Sequence, residues 1–156
     1  MVKSSHPIVP VVIDTNVIVP SLYMQTHIMK FILDGNLVLI WNNFILEETL
    51  KIINKLSNYY AKSGKDLPTE DEVIELLSLI LDEDCMVSDM PDDWEFVSSD
   101  RDDDPFLFAA EAGNAKYIIS LDKRHMISLG SFRGIPIGTP SNFFTWAKEH
   151  YPFIAD

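Results

Sequence analysis

With 156 residues, 47% of them apolar, the chain is long enough to bury a core without staples and too apolar to be disordered. Twelve Lys and Arg against 24 Asp and Glu give a net charge of −12, which argues against nonspecific attraction to a phosphate backbone. That balance favours a basic partner, or carboxylates gathered to hold a cation. The lone Cys85 excludes an internal disulfide, reads as a buried thiol and fits a reducing cytoplasm. No run approaches the roughly 18 apolar residues of a membrane span. The opening "MVKSSHPIVP" has neither the apolar stretch nor the cleavage site of a signal peptide.

In chain order, "IVPVVI" (8–13) reads as a short buried strand, with Pro10 in its first half, where a lost ladder bond matters less. "VIVPSLY" and "HIMKFILDG" read as helices, the second closing at Gly35. "LVLIW" (37–41) is too short and too branched for a helix and reads as a second buried strand. "NNFILEETLKIINKLSNYY" is a helix capped by Asn42 or Asn43. After the turn "SGKDLP", "TEDEVIELLSLILDED" is a helix opening on a Thr69–Glu72 capping box. "CMVS" is a candidate short strand ahead of an acidic segment, residues 82–104. There follow "DPFLFAAEAGN" (helix), "KYIISL" (strand), "KRHMISLG" (short helix), "IPIG" (strand) and "PSNFFTWAKEH", a helix with Pro140 at its start.

Continuously apolar strands alternating with helices imply a mainly parallel sheet covered on both faces, and no linker or repeat divides the chain. The expected fold is a single α/β domain over residues 1–156, a three-layer α/β/α sandwich. Such sheets bind ligands at the carboxyl ends of their strands. Asp14 stands there after the first strand, and Asp122 holds the same place after "KYIISL".

Each acid has two readings. Asp14, with Thr15 and Asn16, either caps the next helix or coordinates Mg²⁺ or Mn²⁺, hard cations that prefer oxygen ligands. Asp122 carries the same ambiguity. Ser120, two residues earlier and on the same side of an extended chain, is either a ligand-facing hydroxyl or an ordinary satisfied one. In "SSDRDDDPF", Asp104 at N-cap before Pro105 has a sufficient structural role. Asp100, Asp102 and Asp103 have none, and Asp103 stands near the positive end of the coming helix. Glu47 and Glu48 flank the apolar stripe Leu46, Leu50, Ile53, and periodicity does not choose between them.

Other chemistries fit poorly. No Gly-rich loop follows a strand, so there is no phosphate cradle. His6, His27, His125 and His150 show no ligand spacing, and "DTN" lacks the second Asp that an aspartyl-phosphate phosphatase needs.

The stretches "VVIDTNVIV", "FILEETL", "DRDDDPFLFAAEAGNAKYIISLDKRHM" and "GIPIGTPSNFF", in this order, resemble a PIN-domain protein. The resemblance extends to the PIN-family toxin components of toxin–antitoxin pairs, of the VapC type. It covers nearly the whole chain. It implies a metal-dependent ribonuclease with a mainly parallel sheet between helices. Carried over by motif, the four acids are Asp14, Glu48 (favoured over Glu47 by the family register), Asp103 and Asp122. Asn16 and Ser120 match assisting polar residues.

The resemblance further implies Mg²⁺ or Mn²⁺ as cofactor, RNA as substrate, a cognate antitoxin as partner, a homodimer in related domains, and a cytoplasmic setting. In the implied mechanism the acids hold the cation, which activates water for in-line attack, and no side chain acts as nucleophile. Lys123, Arg124 and Arg133 offer a basic lip for RNA, which Lys51, Lys55 and Lys62 either extend or leave as a solvated helix face. The competing reading is a catalytically silent PIN fold that binds RNA or protein, and a third is a metal-dependent phosphatase.

Overall fold

A computed structural model describes residues 8–151. The N-terminal segment read as lacking a leader, with His6, lies outside the described residues apart from its last three positions.

Among the described residues there are five strands, β1 (Val9–Ile13), β2 (Leu37–Leu39), β3 (Tyr117–Ile119), β4 (Ser131–Phe132) and β5 (Ile135–Gly138). They lie in the order β2-β1-β3-β5-β4. The first four strands in that order run parallel, and the edge strand β4 is antiparallel to β5. The same residues form six α-helices, α1 (Thr15–Tyr23), α2 (His27–Leu33), α3 (Asn43–Ser63), α4 (Glu70–Ile80), α5 (Asp104–Ala112) and α6 (Pro140–His150).

Strand alternation divides the core into two layers. Val9, Val11 and Ile13 of β1, with Tyr117 and Ile119 of β3, pack on one face with residues of α1, α2, α3, α4 and α6. Val12 and Ile118 point to the other face, against Phe106, Leu107, Ala109 and Ala110 of α5. Full burial of both faces is why these strands read as unbroken apolar runs. The result is the three-layer α/β/α fold with a mainly parallel sheet.

Local signals were honoured where the chain satisfies its own backbone. Thr69 and Glu72 form the expected capping box, Asn42 accepts from the amide of Ile45, and Pro140 opens α6. Gly35 follows α2 in the left-handed conformation that a β-carbon disfavours (φ +81°).

Five points differ from expectation. The second strand stops at Leu39, and Trp41 makes only an isolated parallel bridge to Met86, so "CMVS" does not form a strand either. "KRHMISLG" is a turn with a single 3-10 turn over Ile127–Leu129, its first loop held by the amides of Met126 and Ile127 on the carbonyl of Asp122. The two-residue strand β4 was not expected. Cys85 is half-buried against the second core layer rather than enclosed.

Candidate active site

Parallel register brings the first two acids together. Ile13 of β1 stands opposite Ile119 of β3, so the residues that follow them leave the sheet side by side. The amide of Asp14 donates to the carbonyl of Ile119 (2.9 Å), and the Ser120 hydroxyl donates to Asp14 Oδ2 (2.7 Å). Ser120 Oγ in turn accepts from the amide of Asp122 (3.0 Å). Asn16 closes the same corner, its Oδ1 accepting from the amide of Leu121 (3.1 Å).

Asp14 takes the cap reading, and its carboxylate also lies among other acids. Its Oδ1 accepts from the amide of Thr15 (2.8 Å) as the cap of α1, while the carboxylate stays 6% exposed at the strand ends. Burial pushes its pKa up, the bonds from Ser120 and Thr15 pull it back, and the charge of Asp122 raises it again. Asp122 is fixed in its own turn, Oδ1 accepting from the amides of Arg124 (3.1 Å) and His125 (3.0 Å).

Glu48 enters from α3. The buried stripe Ile45, Thr49, Ile53 pins that helix against the core, leaving Glu47 exposed and Glu48 half-buried. Desolvation, then the charges of Asp14, Asp102, Asp103 and Asp100, push the Glu48 carboxyl up to about 7. Its Oε2 is buried without a hydrogen-bond partner. Asp103 ends a 3-10 turn over Arg101–Asp103 at the head of α5. Desolvation, then the charges of Asp14, Asp100 and Asp122, push it up to about 7 as well, against a weak bond from the Ser98 hydroxyl (3.3 Å). The structure thus brings Asp14, Glu48, Asp103 and Asp122 within reach of one another's fields.

Asp104 corrects the sequence reading. It is the first residue of α5, not its cap, and its side chain turns back to the preceding loop. Fully buried, it accepts from Trp94 Nε1 (2.9 Å) and from the amides of Val97 (2.6 Å) and Ser98 (2.9 Å). The loop so held presents Ser98 Oγ to Asp103 and to the carbonyl of His125, tying the third acid to the turn that carries the fourth. Asp104 and Ser98 are the residues sequence reasoning missed. "DDP" offered a complete local account, and only the buried amides of a loop six residues away reveal the other.

The basic lip is also smaller than expected. Arg133 binds both oxygens of Glu111 and lies over Trp94 and Phe132, each about 5.0 Å from the guanidinium carbon. Lys123 and Arg124 remain exposed in the Asp122 turn.

An all-oxygen carboxylate set with mutual repulsion and a buried oxygen lacking a donor fits a hard divalent cation. Among the described residues no three His, Cys, Asp or Glu side chains are placed so that, as they stand, they could hold a metal ion together. Without charge compensation Glu48 and Asp103 favour carrying protons near neutrality, so the affinity for any cation held there would rise with pH.

Residues 10–124 match the family model described as PIN domain. No curated protein and no solved structure was found to match the chain. Among the described residues no helix is long and apolar enough to cross a membrane.

Proposed function

The chain belongs to the PIN-domain family, and from that premise we propose that it is a Mg²⁺- or Mn²⁺-dependent ribonuclease hydrolysing RNA phosphodiester bonds. One observation carries the reading. Four carboxylates from four separate parts of the chain act on one another by charge near the carboxyl edge of a parallel sheet, two of them pushed up to about 7. A fold does not gather like charges for stability, since each raises the ionisation cost of the others.

Asp14, Asp103 and Asp122 would hold the cation, with Glu48 completing the set. When bound, a divalent cation supplies a water acidic enough to attack phosphorus and relieves charge on the phosphodiester. Ser120 and Asn16 keep the Asp14 carboxylate and the 120–122 turn in place. The amides of Arg124 and His125 hold one oxygen of Asp122. No serine, cysteine or histidine is required as a nucleophile.

The experiment is cleavage of single-stranded RNA by purified protein with Mg²⁺ or Mn²⁺, beside the Asp14→Asn variant and a chromogenic phosphomonoester. RNA cleavage by wild type alone is the expected result. Equal activity in both proteins overturns the site, and monoester hydrolysis without RNA cleavage points to a phosphatase instead.

The net charge of −12 supports a second element, a basic antitoxin segment that holds this protein, as toxin, inactive. A neighbouring reading frame encoding a basic, DNA-binding protein, whose product blocks RNA cleavage, is the outcome that reading requires. The same charge also favours a silent binding module. A thermal shift on adding Mg²⁺ or Mn²⁺, reversed by chelator, separates the two, because only a working acid cluster gains stability from the ion.

A further inference from the structure

Beside the acid cluster lies a cavity of about 360 Å³, bounded by Phe44, Glu47, Asp89, Phe96, Arg101 and Asp102 among others. Asp102, which lines it, is one of the charges that act on Glu48, and this links the cavity to the acid cluster. Phe96 is 45% exposed, and the Arg101 guanidinium carbon lies 4.8 Å from its ring centroid. An exposed ring carrying a planar cation is a surface on which single-stranded bases stack.

The rest of the wall reads an edge rather than a phosphate. Asp89 Oδ1 already accepts from the amide of Asn43 (3.1 Å), which fixes it at the head of α3. Glu47 and Asp102 are exposed carboxylates that only accept. Carboxylate acceptors lining one cavity repel carbonyl oxygens and phosphates and attract adjacent N–H groups. Guanine presents such a pair on its Watson–Crick edge, N1–H beside the exocyclic amine. Uracil places a carbonyl on each side of its single N–H, and adenine places a ring acceptor beside its amine.

We propose that this cavity is a nucleobase subsite for guanine, with Phe96 and Arg101 stacking the base and Glu47 and Asp102 accepting from its edge. Its position relative to the cut bond rests on the ribonuclease reading, while its binding chemistry does not. Guanine at a fixed offset from the cleaved phosphodiester is the substrate preference that follows.

The probes are guanosine, adenosine and uridine, titrated into wild-type protein by NMR. As nucleosides they carry no phosphate for the acidic wall to repel. Guanosine is expected to shift Phe96 and Arg101 resonances and to bind about tenfold or more tightly than uridine. Loss of the stacking ring in Phe96→Ala is expected to weaken guanosine by about tenfold, with Phe96→Tyr restoring it. Glu47→Gln should narrow the preference for guanosine over adenosine. Phe96 lies at the surface, so these variants fold, and a thermal melt verifies it. Equal affinity for the three nucleosides, or unchanged guanosine binding in Phe96→Ala, overturns the proposal.

Cleavage of a random-sequence RNA separates the two readings. Guanosine binding without RNA cleavage leaves the subsite standing and removes the ribonuclease. Cleavage with no base preference, or with one that survives Phe96→Ala, removes the subsite and leaves the ribonuclease.

Discussion

Two buried aspartates at helix starts, Asp14 and Asp104, are put to opposite uses. Asp14 follows the strand β1, and beyond its bonds to Thr15, Asn16 and Ser120 it faces the charges of other carboxylates. Asp104 is wholly buried and accepts from three donors, all of them in the 94–98 loop. One carboxylate is kept in a place where its charge is costly, the other where it is matched. The first condition suits a cation site and the second suits a loop anchor. Adjacent Asp103 and Asp104 repeat the contrast within two residues.

The largest effect expected is on catalysis. Asp14→Asn should reduce RNA cleavage by at least about a hundredfold, because a neutral amide neither holds the cation nor completes the charge of the set. Its urea midpoint should stay close to wild type, since the change also removes one of the repelling charges. A variant that unfolds instead would make Asp14 a structural residue like Asp104 and end the contrast.

Asp104→Ala should act the other way round. It strands one indole and two amide donors, and a loss of about 2–4 kcal/mol in denaturant unfolding is expected. Asp104→Asn, which keeps an acceptor, should lose less. Any cleavage defect should then follow the disordering of the loop that carries Ser98, so Ser98→Ala should share part of it.

The pH dependence sharpens the same distinction. Glu48 and Asp103 have folded-state pKa values of about 7, above their ordinary values of 4.5 and 3.8. The native protein thus binds more protons than the unfolded chain between those values, and stability must fall as pH rises. In chelator, the decline attributable to them should run from about pH 4 to about pH 7 and level off above it. Partial solvent access keeps it modest, on the order of 1 kcal/mol. Glu48→Gln with Asp103→Asn should flatten the curve in urea titrations at several pH values. A stability that climbs through that window would show that the acids are not repelling one another.

Ser120→Ala is the mildest test. It removes one hydrogen bond to Asp14, for a cost of about 1 kcal/mol. Because that bond favours the charged carboxylate, its loss should move the Asp14 titration further upward in NMR. No movement would detach Ser120 from the site.

Much of the site was legible because its parts are local. An apolar run ending in a carboxylate marks a strand end, and the turn residues Thr15 and Asn16 mark the corner. What stayed hidden was relational. Glu47 and Glu48 differ by one step of about 100° round α3, and only the packing of Ile45, Thr49 and Ile53 decides which of them leans toward the other acids. Asp104 satisfied a local rule that the folded chain does not use, because three buried donors in the 94–98 loop offer a carboxylate more than a helix start does. "LVLIW" had strand composition over five residues, yet the sheet had partners for three.

The sequence by itself determined the alternation of strands and helices, the burial of both sheet faces and the presence of acids at two strand ends. Those follow from side-chain chemistry acting within a few residues. Tertiary structure alone decided that β1 and β3 lie adjacent and in register. That register sets Ser120 against Asp14 and, with α3 and α5 packed on either side, gathers the four carboxylates into one field.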